Sequence, residues 1–134
     1  MNDWTPLPGN LVANDVAEPI IKDFRSKYRI HTEGYPPNIP TWCTFPTSHQ
    51  VDENIFNHSQ LQKQGNLYFY HERGNELYIT TLKEIQSYFS QRNPWETNWD
   101  LYVFNASLAW CVAVTHELAD GPAVIVVGDF PQFD

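Results

Sequence analysis

Positive charge is what this chain runs short of. It carries 8 Lys and Arg against 16 Asp and Glu, a formal net charge of -8, and not one Lys or Arg follows Arg92. Six carboxylates do follow it: Glu96, Asp100, Glu117, Asp120, Asp129 and Asp134. A field of that sign repels phosphate backbones and anionic membrane surfaces and attracts basic proteins, so direct nucleic-acid binding is not expected. Long apolar runs are missing too. The longest fall well below the ~20 residues of a membrane-spanning helix, and the opening MNDWTPLPGN lacks the basic and apolar regions of a secretory signal. The expectation is a cytoplasmic protein with no membrane partner. The two cysteines, Cys43 and Cys111, stand apart without ligand or redox spacing, and both read as reduced thiols. The six glycines are scattered, which excludes the Gly-rich phosphate loops of common nucleotide enzymes, and no Gly-x-Ser-x-Gly is present.

Apolar and aromatic residues are plentiful, with five Trp, seven Tyr and eight Phe in 134 residues. That is a composition for a packed core, and a length for one domain. The stretch from Trp99 to Val127 holds three β-branched and aromatic runs, Leu101 to Phe104, Leu108 to Val114 and Ala123 to Val127, separated by Asn-Ala-Ser and Asp-Gly-Pro. Such runs predict a three-stranded meander. The middle run is apolar at both parities, as expected of a central strand covered on both faces.

Ahead of it, residues 1–10 contain Pro6, Pro8 and Gly9 and read as an irregular arm. A helix follows from a cap at Asn14 or Asp15 to about Tyr28, with Val16, Ile20, Ile21, Phe24 and Tyr28 on its apolar stripe and Pro19 in its first turn. Residues 31–46 are interrupted by prolines and predict a surface segment pinned by Tyr35, Trp42 and Phe45. Residues 52–64 predict a short helix or ordered loop. NLYFYHE and ELYIT, around Arg73-Gly74-Asn75, predict a hairpin. Thr81-Leu-Lys-Glu84 is a capping box opening a helix with Leu82, Ile85, Tyr88 and Phe89 on one face. The whole of 1–134 is expected to be a single α+β domain, about five largely antiparallel strands packed with two helices.

Two dipeptides carry possible chemistry, His71-Glu72 and His116-Glu117. Converging, they would suit a divalent metal or acid–base work, although neighbours on a strand point to opposite faces. A small enzyme built on these four residues is one alternative, and a small-ligand or scaffold domain lined by Tyr35 to Pro46 is another. The aromatic and acidic residues of NPWETNWD suggest something else. An outward Trp beside a carboxylate suits a basic protein surface, since the ring offers apolar area and cation–π contact while the acid pairs with Arg or Lys. Trp95, Glu96, Trp99 and Asp100, with Glu117, Asp120 and Asp129 from the same unbalanced half, are therefore the expected partner-binding residues, with no catalytic residue, metal or cofactor.

Trp99 to Glu117 resembles the Trp-Asp-x-Tyr-hydrophobic-Phe, then Trp and Thr-His-Glu, pattern of small uncharacterised bacterial proteins that include candidate immunity proteins encoded beside secreted toxins. The resemblance spans residues 99–117. It implies a cytoplasmic, non-enzymatic inhibitor that binds one cognate toxin, and it carries over no binding residues.

Overall fold

The computed structural model describes residues 5–29, 34, 39–45, 48–51, 53–57, 65–92, 99–115 and 124–128. They build one antiparallel sheet of seven strands between two helices, where the sequence predicts about five strands. The strands are β1 (Asn10–Leu11), β2 (Ser48–Val51), β3 (Asn66–His71), β4 (Glu76–Thr81), β5 (Leu101–Phe104), β6 (Trp110–Val114) and β7 (Val124–Gly128). The helices are α1 (Asn14–Tyr28) and α2 (Leu82–Gln91). In space the order is β1-β4-β3-β5-β6-β7-β2. The β5-β6-β7 meander and the β3-β4 hairpin are where the sequence puts them, except that β6 starts at Trp110 and Leu108 precedes it at φ 59. The additional strands are the two edges, β1 from the supposed irregular arm and β2 from the residues after Pro46. Neither has a long apolar run, because an edge strand pairs on one side only.

Both β4 and β5 run antiparallel to β3, so they run the same way, and the chain between them has to cross the sheet. Helix α2 makes that crossing and buries Leu82, Ile85 and Tyr88. On this face they meet Phe69, Leu101, Val103, Trp110, Val112, Val114, Val124 and Val126, with Ile55 and Phe56 of the 3-10 turn Glu53–Asn57. The opposite face is covered by α1 and by a second 3-10 turn, Thr41–Thr44. There Phe24 stacks on Phe104 at 4.8 Å and meets Tyr28, Tyr70 and Tyr102. Every residue of β5 and β6 is buried, as a central strand covered on both sides requires.

Helix α1 departs from expectation in three respects. Its cap is Ala13, which makes no side-chain hydrogen bond, instead of Asn14 or Asp15. Pro19 lies beyond the first turn, so the Asp15 carbonyl lacks its helical donor. The buried stripe is Ala17, Ile21, Phe24 and Tyr28: the predicted Ile21, Phe24 and Tyr28 are in it, and Ala17 takes the place of Val16, which is 53 % exposed. Among the described residues no helix is long and apolar enough to cross a membrane.

Candidate functional site

Among the described residues, the densest polar cluster lies where β3 ends and β5 begins. Glu72 and Asp100 follow and precede their strands directly, and the Glu72 amide donates to the Asp100 carbonyl at 3.2 Å. Strand alternation sends both carboxylates to the α1 face. Glu72 accepts from the Thr41 hydroxyl at 2.5 Å, from the Thr41 amide at 3.1 and 3.3 Å, and from the Tyr102 phenol at 2.6 Å. Asp100 accepts from the Trp42 indole at 2.8 Å, and the Trp42 amide donates to the Tyr102 oxygen at 3.1 Å. Two adjacent carboxylates thus grip two consecutive residues of the Thr41–Thr44 turn. Burial first, then the charge and hydrogen bond of Glu72 and the charge of Asp100, push the Tyr102 phenol well above its ordinary range, against the Trp42 amide. Tyr102 therefore remains a donor, as Glu72 requires. The chemistry of this cluster is spent on holding the proline-rich segment to the sheet.

His71 goes the other way. It is 8 % exposed, its ring lies 4.5 Å from that of Trp99, and its Nδ1 is 3.4 Å from Glu76 Oε1. Burial lowers its pKa below the usual imidazole value, with Glu76 opposing and Arg73 reinforcing. So His71 and Glu72 do not share a site, because one faces the α2 side of the sheet and the other the α1 side. The same alternation separates Trp99 from Asp100. Trp99 packs half-buried against the α2-side core, and Asp100 is 8 % exposed on the other face, so the pair does not stand outward as a partner-binding unit. Trp95, Glu96, His116, Glu117, Asp120 and Asp129 lie outside the described residues, as does Tyr35. Among the described residues no three His, Cys, Asp or Glu side chains gather as a metal site would need.

A different feature opens to solvent, between the first half of α1 and the turn from Glu72 to Asn75. It is a depression of about 610 Å³. Ala17 and Ile21 of α1 contribute its apolar part together with Leu11, which is 59 % exposed. Glu18 and Asn14 stand on the helix side, and Gly74, Asn75 and Glu76 on the turn side. Hydrogen bonds fix the two walls relative to one another: Arg25 donates to the Tyr70 phenol at 3.0 Å, and Tyr70 donates to Asn75 Oδ1 at 2.7 Å. Asn75 itself sits at φ 53, a left-handed position that Asn tolerates and that closes the turn. A second hollow, about 240 Å³, lies between Pro6, Pro8 and Gly9 and the α2 residues Glu84, Ser87 and Gln91.

Sequence reasoning did not find the larger depression. Its walls come from α1, β1 and the β3-β4 turn, and only the pairing of β1 with β4 brings them together. Compared with known proteins, the chain matches no protein-family model, and neither a curated protein nor a solved structure matches it.

Proposed function

We propose that this chain is a non-enzymatic, acidic binding protein of the immunity type, acting in the cytoplasm to neutralise a cognate bacterial toxin by covering its active site or substrate surface. The observation that carries the reading is the net charge of -8, with no Lys or Arg after Arg92, on a molecule that also opens a depression of about 610 Å³ beside Glu18 of α1. Toxins that act on nucleic acids or nucleotides carry basic clefts, and an acidic surface meets such a cleft quickly and in a defined orientation. The fate of the polar residues supports it further. Glu72 and Asp100 are bound up in the fold, and Glu18 on α1 is exposed. The reading takes the acidic half after Arg92 as the partner surface and adds Glu18 of α1 to it.

The test is co-expression with the product of the adjacent gene. Rescue of growth from that product's toxicity, with a complex recovered by size exclusion, is the expected result. Neither rescue nor complex would overturn the proposal.

A further inference from the structure

We propose that protonating His71 releases the Thr41–Thr44 turn from the opposite face of the sheet, so that the paired ends of β3 and β5 act as a pH-sensitive latch. Two assemblies lie back to back there. His71 and Trp99 meet on the α2 side, and the residue after each, Glu72 and Asp100, faces the α1 side and holds the turn. One peptide unit therefore links each ring to one carboxylate of the clamp. The Glu72 amide, bonded to the Asp100 carbonyl at 3.2 Å, ties the two halves together.

The surroundings of the imidazole decide what a proton does to it. Its Nε2 is buried and has no hydrogen-bond partner among the described residues, so protonation places a charged donor where nothing accepts it. Nδ1 lies 3.4 Å from Glu76 Oε1, and a β-carbon on Gly74 would come within 2.9 Å of Nδ1, so the turn backbone closes over the ring. The Glu76 carboxylate and the Trp99 ring favour the cation; burial and Arg73 oppose it. Strand β5 adds only Leu101, paired with His71, while Asp100 and Glu72 lie across the sheet. Burial is the largest of these effects, and it drives the imidazolium outward, toward the 41 % exposed Glu76 side chain. That movement displaces the Gly74 backbone and takes from Trp99 its neighbouring ring, so both strand ends shift and the clamp on Thr41 and Trp42 opens. The departing segment carries Trp42 and, just after the turn, Phe45, whose ring packs against Tyr28 and Tyr102.

Two nuclear magnetic resonance signals of the isotope-labelled full chain test this from about pH 8 to about pH 5, the range in which imidazole titrates. The His71 ring resonances report its protonation, and the Trp42 indole proton, donated to Asp100 at 2.8 Å, reports the latch. Both are expected to shift with one midpoint, below the ordinary 6.5. His71→Gln is expected to abolish the Trp42 shift in this range. Glu76→Gln removes the carboxylate that favours the cation and is expected to lower both midpoints together, which keeps the test open if His71→Gln does not fold. A Trp42 proton that holds still while His71 titrates would overturn the latch. So would a Trp42 shift that persists unchanged in His71→Gln, since the clamp carboxylates would then be the titrating groups. A midpoint that moves in Glu76→Gln for His71 alone would overturn it as well. No partner enters the measurement, so the latch stands or falls apart from the inhibitor reading.

Discussion

At the scale of single residues, the fold depends most on a carboxylate that sequence reasoning assigned to a metal or acid–base alternative. Glu72 satisfies the buried hydroxyls of Thr41 and Tyr102 and the Thr41 amide. Glu72→Ala orphans all three donors and is expected to cost about 2–4 kcal/mol in urea unfolding, because a buried donor without a partner loses its full solvation. Glu72→Gln is expected to be nearly as costly, as its amide would face at least one of these donors. An unchanged unfolding midpoint in either variant would show that the clamp does not hold the turn. His71 gives a separate test. Burial keeps its folded pKa below the ordinary 6.5, so the unfolded chain takes up a proton first as pH falls. Its contribution to stability is complete above about pH 6.5 and is lost as pH drops through the lowered value. His71→Gln should flatten that stretch of the stability profile, and a wild-type profile already flat there would contradict the assignment.

At the scale of elements, legibility followed the range of the contacts. The β3-β4 hairpin, the α2 capping box and the C-terminal meander are local, and their turn residues and alternation were readable. In α2 the Thr81 hydroxyl accepts from the Glu84 amide at 3.3 Å, as the Thr-x-x-Glu spacing predicts, whereas the Glu84 carboxylate is taken by the Thr80 hydroxyl at 2.9 Å. The edge strands were not readable. Asn10 and Leu11 form a strand because β4 is there to receive them, and nothing in PLPGNL announces it. The opposition of Glu72 and Asp100 is likewise a product of the β3-β5 pairing, which joins segments on either side of α2. Gly9 is the residue that admits β1: at φ 94, a β-carbon there would lie 2.2 Å from the Ile79 carbonyl oxygen. Gly9→Ala therefore cannot keep β1 in place. The expected result is faster hydrogen exchange at Val12, whose amide donates to the Leu77 carbonyl at 2.8 Å, with a loss of about 1–3 kcal/mol in global stability. Protection at Val12 equal to wild type would show that the edge does not depend on the glycine.

At the scale of the whole molecule, the same excess of negative charge acts in opposite directions on folding and on association. A compact chain of net charge -8 repels itself, so modest salt is expected to raise its melting temperature by screening that repulsion. The proposed encounter with a basic partner uses the field that salt screens, so its association rate is expected to fall, by roughly tenfold or more across the range in which the Debye length shrinks from about 30 to 10 Å. Dissociation should change little, because charges buried in a formed interface are screened far less than exposed ones. Stopped-flow association and thermal unfolding over one salt series measure both signs on one sample. An association rate that is flat while the melting temperature climbs would mean that the charge serves the surface of this protein alone, and that apolar contact, without electrostatic steering, brings the partner in.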